Sequence, residues 1–355
     1  MSNDMHGGDI YSCTHTQDLL DFSANISPLG LPNSVKSALT ASIDHWDRYP
    51  DPYCRKLRTA LANKHGVSER WICCGNGAAD LIYKIAKVLK PRCAMVTAPT
   101  FSEYRKALSL EECVMIDYLL YEKNGFNITE DITAILNKPL DLLVLCNPNN
   151  PTGQPISPKL LTNIIEKCKQ NKICVLLDEC FVPFLKDAHR HSKIGLLERF
   201  PNLIILRAFT KVYAMAGLRL GYLLCSDEML VRTIESCGQP WNVSAPAQIA
   251  GIAALKDTEY VDTVHSIIQT ERDYLLCSFK KLGMHVIGSH ANYIFFKCIT
   301  KDLKEKLLTK NILIRSCSNY HGLNEQFYRI AVRSHNENER LIAALTTIRM
   351  GEDHV

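Results

Sequence analysis

Leu142-Leu-Val-Leu-Cys146, Asn147-Pro-Asn-Asn-Pro-Thr-Gly153, Pro158-Lys-Leu-Leu-Thr-Asn-Ile-Ile-Glu-Lys-Cys-Lys-Gln170 and Ile173-Cys-Val-Leu-Leu-Asp178 follow one another in the middle of the chain. The first and last pieces are short, apolar and bounded by polar or turn residues, as strands buried on both faces are. The long piece between them has helical spacing and begins at a proline, whose missing N–H costs nothing in a first helical turn. A strand, a helix and a second strand in that order predict parallel pairing.

Outward from this unit the pattern repeats. Ala94–Thr97 and Leu203–Leu206 read as further buried strands, and Ala78–Leu89 and Ser102–Leu108 as helices. The fold class is α/β, with a mostly parallel central sheet covered on both faces. After about Ser244 the order changes: Ala247–Leu255 and Tyr260–Leu282 look helical, Tyr293–Lys297, Leu313–Arg315 and Tyr328–Val332 look like strands, and His335–Arg349 closes as a helix. This predicts a large domain over 46–245 and a smaller α+β domain over 246–355.

Composition narrows the partners. The 355 residues are 46% hydrophobic and 22% charged, with a formal charge of +4, which lacks the clustered basic stripe of nucleic-acid binders. The 15 cysteines include no CxxC pair, so neither a structural zinc site nor a redox motif is expected. No apolar run approaches the ~20 residues that span a bilayer, and the first residues do not read as a signal peptide. A cytoplasmic protein with reduced thiols is the expectation.

Ligands of open α/β sheets bind beyond the carboxyl ends of the strands. The residues there are Pro99–Tyr104, Asn147–Gly153, Asp178–Phe181 and Arg207–Lys211, all polar or turn-rich. Asp178 and Lys211 thus end neighbouring predicted strands, and a carboxylate and an amine so placed can meet across one ligand. Pyridoxal phosphate needs that pair, an amine for its aldehyde and an acid for its ring nitrogen. Gly75-Asn-Gly77-Ala78-Ala79 precedes a predicted helix and could hold a phosphate at the helix N-terminus, or be a plain turn.

Arg207-Ala-Phe-Thr-Lys211-Val-Tyr-Ala-Met-Ala-Gly217-Leu-Arg219-Leu-Gly221 resembles the lysine segment of fold-type I pyridoxal-phosphate enzymes. Asn147-Pro-Asn-Asn150-Pro-Thr-Gly153 and Asp178-Glu179 resemble that superfamily's two other signatures, in the same order. The resemblance implies that Lys211 bonds the cofactor aldehyde, Asp178 pairs with the pyridine nitrogen and Asn150 meets the ring's 3′-oxygen. It also implies that Phe101 stacks on the ring, and that Arg219, Thr210, Gly77 and Ala78 hold the phosphate. Many relatives carry a serine where this chain has Ala208.

His6-Gly-Gly-Asp-Ile10, Leu20-Asp-Phe-Ser-Ala-Asn25-Ile-Ser-Pro-Leu-Gly30, Arg48-Tyr49-Pro-Asp-Pro52, Ile314-Arg315-Ser-Cys-Ser-Asn-Tyr320 and Tyr328-Arg329-Ile-Ala-Val-Arg333-Ser334 lie toward the ends of the chain. These stretches resemble the threonine-phosphate decarboxylases of cobalamin biosynthesis. The likeness extends more loosely to histidinol-phosphate aminotransferases. By resemblance, Arg329 binds a substrate carboxylate, Arg315 helps bind a substrate phosphate, and His6, Gly7 and Asn25 complete the substrate site. The segment 1–45 then packs over the active site, and Tyr49 reaches the cofactor phosphate across a homodimer. Arg333 reads as a salt-bridge residue or a second anion ligand. The implied reaction is decarboxylation of O-phospho-L-threonine to (R)-1-amino-2-propanol O-2-phosphate, with O-phospho-L-serine as another or alternative substrate. Transamination of histidinol phosphate by nearly the same residues is the alternative.

Overall fold

The computed structural model describes residues 6–13 and 18–352. Leu20–Asp21 forms a short first strand, β1. The central sheet follows, made of β2 (Ile72–Gly75), β3 (Cys93–Ala98), β4 (Val114–Leu119), β5 (Leu142–Cys146), β6 (Cys174–Asp178), β7 (Leu203–Ala208) and β8 (Gly221–Leu224). Its order is β2-β8-β7-β6-β5-β3-β4. The neighbours from β7 through β4 all pair in parallel, while β8 runs antiparallel to both β2 and β7.

Alternation along the apolar strands explains both layers. Leu143, Leu145, Val175, Leu177 and Ile205 share a core with Leu161, Ile164 and Ile165 of helix Pro158–Gln170. Leu142, Val144, Leu176, Ile204 and Leu206 point to the other face, against Leu81, Ile82 and Ile85 of helix Gly77–Leu89 and Tyr104 and Leu108 of helix Ser102–Ser109. Each such side chain is worth about 1.5–3 kcal/mol when fully buried, so a one-residue slip would misplace an entire face. The expected strands and helices of this region are present within a residue or two. Sequence reading passed over β2, β4 and β8. Asp117 interrupts the apolar residues of β4, an edge strand whose first residue, Val114, is 64% exposed, and β2 and β8 have only four residues each.

The C-terminal part forms a four-stranded antiparallel sheet. Its strands are β9 (His285–Gly288), β10 (Tyr293–Lys297), β12 (Arg315–Ser316) and β13 (Phe327–Ala331), in the order β12-β13-β10-β9, with β11 (Ile312–Leu313) lying outside it. Helices Thr258–Lys281 and His335–Glu352 pack together beside it. The single strand expected at Leu313–Arg315 is two: β11 pairs in parallel with β1, and β12 pairs with β13. The chain changes partners at Ile314, which an apolar pattern cannot reveal. Helix Ala245–Lys256 packs against helices Asn33–Thr40 and Arg55–His65. Among the described residues no helix is long and apolar enough to cross a membrane, and no group of His, Cys, Asp and Glu could hold a metal ion. Of the N-terminal segment, residues 1–5 and 14–17 lie outside the described residues.

Candidate active site

The carboxyl ends of β5, β6 and β7 open into a cavity of about 160 Å³ whose lining includes Ala78, Phe101, Asn150, Asp178, Thr210, Lys211 and Arg219. A second cavity of about 530 Å³ shares Phe101, Asn150, Thr210, Lys211 and Arg219 with it and adds His6, Gly7, Asn25 and Arg329. The two are one cleft, with Lys211 between its inner and outer parts.

Asp178 is the last residue of β6, set beside Cys146 of β5 and Leu206 of β7 by the parallel register. Its Oδ2 accepts a hydrogen bond from Tyr104 Oη at 2.6 Å, and its Oδ1 accepts one from the Cys180 backbone N–H at 2.8 Å. Two donors fix this buried carboxylate in one orientation. Tyr104 closes the turn-rich stretch Pro99–Tyr104, and nothing in that stretch marks it as the partner of Asp178. Phe101 precedes helix Ser102–Ser109 as its N-cap and meets the Tyr104 ring edge-on at 5.6 Å.

Lys211 Nζ lies 5.5 Å from the Phe181 ring centroid. Burial, and next the Arg329 cation, push its pKa down to about 8, with Arg219 adding to the effect and Cys180 and Asp178 opposing it. A buried amine that titrates near neutrality is suited to nucleophilic and proton-transfer chemistry.

The inner end of the cleft is a cradle. Gly77 opens helix Gly77–Leu89 at φ +84°, and a Cβ there would stand 2.4 Å from Arg219 Nη2. A Cβ on Gly221 would meet the Ala78 backbone nitrogen at 2.5 Å. The two glycines therefore let a guanidinium and the free N–H groups of a helix start approach one point, which makes an anion site. Ala208 lines this wall without a hydroxyl, and Thr210 is nearby on it.

At the outer end, Arg329 of β13 is 4% exposed. Its Nη1 donates to Asn150 Oδ1 and its Nη2 to the Ser23 carbonyl at 2.7 Å, while its Nε has no partner among the described residues. Asn25 is buried with neither carboxamide atom partnered among the described residues. Gly7 lies so close to this pair that a Cβ would stand 2.0 Å from the Ser23 carbonyl oxygen. The contact with Arg329 uses the Ser23 backbone oxygen, which no choice of side chain signals in the sequence.

Two expected residues lie elsewhere in this single chain. Arg315 pairs across the sheet with Arg329 but lines a neighbouring cavity of about 540 Å³ on the far side of Phe101 and Tyr320, where its Nη2 donates to Asn319 Oδ1 at 2.8 Å. Tyr49 is 81% exposed and stacks on Trp241 at 4.5 Å. Arg333 forms an ion pair with Glu337, four residues on.

The chain is similar to known proteins over nearly its whole length. The family model for aminotransferase class I and II matches residues 17–345. The sequence is 41% identical to a threonine-phosphate decarboxylase of Salmonella typhimurium, covering 98% of each chain. It is 34% identical to a histidinol-phosphate aminotransferase of a Geobacillus species, covering 93% of this chain and 90% of that one. Among solved structures, a histidinol-phosphate aminotransferase from Clostridium acetobutylicum superposes with a TM-score of 0.88 at 28% identity, covering 94% of this chain and 100% of that one.

Proposed function

The chain belongs to the class I and II aminotransferase family, a family of pyridoxal-phosphate enzymes, and we propose that this member decarboxylates O-phospho-L-threonine in the cleft around Lys211. The product would be (R)-1-amino-2-propanol O-2-phosphate, used in cobalamin biosynthesis.

The residues present fit the cofactor. The cradle that a Cβ on Gly77 or Gly221 would fill, a buried amine and a buried, oriented carboxylate face one cavity. Lys211 would bond the cofactor's aldehyde carbon, Asp178 would hold the proton on its ring nitrogen, and Phe101 and Asn150 would contact the ring and its 3′-oxygen. Gly77, Ala78, Thr210 and Arg219 would take its phosphate, joined by Tyr49 of the partner subunit in a homodimer. When bound, pyridoxal phosphate supplies a protonated ring that accepts the electron pair freed as a bond to the substrate Cα breaks.

The rest of the reaction belongs to this chain's residues. Arg329 would hold the substrate carboxylate, and His6, Gly7 and Asn25 would hold its phosphate end, with the Arg315 guanidinium turning from Asn319 in the neighbouring cavity to join them. With both ends of a short substrate pinned, rotation is restricted and one Cα bond can be presented for cleavage. Once the carboxylate had left as CO2, the protonated Lys211 Nζ would deliver a proton to Cα in its place, a transfer suited to an amine near neutrality. The observation that carries this reading is the pair of buried, incompletely partnered groups at the outer end, Arg329 Nε and the whole carboxamide of Asn25. Buried polar atoms left unpaired among the described residues point to a polar ligand; the two free donors, Arg329 Nε and Asn25 Nδ2, suit an anion, while Asn25 Oδ1 would take a donor such as the substrate amine. The likeness to a threonine-phosphate decarboxylase supports the same reading.

The deciding experiment mixes holoenzyme with O-phospho-L-threonine and no keto acid. Sustained CO2 release is expected. A single turnover that stalls until 2-oxoglutarate is added would instead establish an aminotransferase, the reading favoured by the similarity to histidinol-phosphate aminotransferases. O-phospho-L-serine lacks one methyl group and should be used with kcat/KM lower by about tenfold or more. Fifteen cysteines, all free thiols, support a cytoplasmic location.

Lys211 also sets a pH dependence. Its depressed pKa leaves the amine protonated below about 8 and neutral above it. Apoenzyme is therefore expected to recombine with pyridoxal phosphate at a rate that rises about tenfold per pH unit below that value, then levels off. Stopped-flow absorbance would follow it; a rate still climbing through pH 10 would show an unshifted lysine.

A further inference from the structure

At the mouth of the cleft, His6 rests on two residues from one helix start. Its ring centroid lies 5.5 Å from that of Phe101, and its Nε2 lies 2.7 Å from Glu103 Oε1. A carboxylate can only accept, so the imidazole donates through Nε2–H. Glu103 stands in the first turn of helix Ser102–Ser109, where the macrodipole favours negative charge. Its Oε2 accepts from Tyr83 Oη at 2.6 Å, and Lys106 Nζ stands 3.1 Å from its Oε1. Burial opposes its charge, but the donors from Tyr83, Lys106 and His6 outweigh burial and hold the carboxyl below the usual range.

The His6 side chain is 45% exposed while that of Glu103 is 12% exposed. The fixed partner is therefore the glutamate. Two residues on, the Gly8 N–H donates to Ser23 Oγ at 2.7 Å. The N-terminal segment is thus tied at one end to Glu103 and at the other to Ser23, with Gly7 against Arg329 between them.

We infer that Glu103 is a positioning residue, which latches the N-terminal segment over the cleft by holding His6 where the anionic end of the substrate arrives. This rests on the substrate-binding role proposed above for His6. Glu103 also lines the outer cavity and holds Tyr83 and Lys106, so the latch requires that its effect on the substrate run through His6, and the two residues should then behave as one unit.

The test is calorimetric titration of holoenzyme with O-phospho-L-threonine and with inorganic phosphate, alongside CO2 release. It compares wild type, Glu103→Ala, Glu103→Gln, His6→Ala and the double alanine variant. Glu103→Ala is expected to raise Kd and KM about tenfold, the scale of one charge-assisted hydrogen bond, with kcat and the visible cofactor band unchanged. The double variant should be no weaker than His6→Ala alone, and Glu103→Gln, whose amide oxygen still accepts from His6, should recover most of the affinity. Additive losses in the double variant, or an unchanged Kd in Glu103→Ala, would overturn the latch. A wild type that binds O-phospho-L-threonine without releasing CO2 would remove the proposed reaction, while the latch would still be decided by Kd. Binding of neither titrant would remove both.

Discussion

Lys211→Ala is expected to lose at least about 10⁴-fold in kcat, because one residue supplies both the covalent attachment and the proton that Cα receives. Borohydride reduction of the wild-type holoenzyme should abolish its visible band and leave the label on Lys211, and the alanine variant should take up no label. The fold should tolerate the change. Removing a buried cation relieves its repulsion with Arg329 and Arg219, the same influences that help depress its pKa. A thermal midpoint at or above that of wild-type apoenzyme is therefore expected. A variant that still turned over at the wild-type rate would move the attachment point elsewhere.

Asp178→Asn carries the next largest effect, a loss in kcat on the order of 10²–10³-fold. The substitution keeps the shape and removes the charge. Cys180 N–H can still find the amide oxygen, and Tyr104 Oη can turn from donor to acceptor toward the new NH2, so both present contacts have a replacement. What disappears is the anion that would keep the ring nitrogen protonated. The visible band and its response to pH should shift while Tm changes little. An Asp178→Asn enzyme with wild-type kcat would show that ring protonation does not depend on this carboxylate.

The parts of the molecule readable in the sequence are those where one local pattern has one structural meaning. An all-apolar run such as Leu142–Cys146 has to be covered on both sides, which specifies a central strand and places Asn147–Gly153 beyond its end. Asp178 and Lys211 follow because they terminate such runs. The rest depends on partners distant in the chain. Val114–Leu119 is an edge strand of mostly apolar residues interrupted by Asp117, and only its place at the sheet edge explains why its side chains are partly exposed. Ile314 gives no sign that the strand changes partners there. Arg315 and Arg329 sit side by side in register, yet Arg315 lines the cavity beyond Phe101 and Arg329 the cleft of Lys211. Which way a guanidinium turns is decided by Tyr320, Asn319 and Asn150, and spacing carries none of that.

The pairing of β1 with β11 bears on how the chain is made. Leu20 N–H bonds the Asn311 carbonyl, Phe22 N–H bonds that of Leu313, and Ala331 N–H bonds that of Phe22, each at 2.8 Å. Arg329 reaches the Ser23 carbonyl across 306 residues of sequence. On a ribosome the segment Leu20–Ser23 therefore has no partner until residues 311–331 emerge. The central sheet, complete by Leu224, can assemble long before. A nascent chain stopped before β11 would possess a floor for the cofactor and no roof for the substrate. Loop closure over so long a span is entropically costly and slow to search, so the roof would be the last part of this enzyme to form.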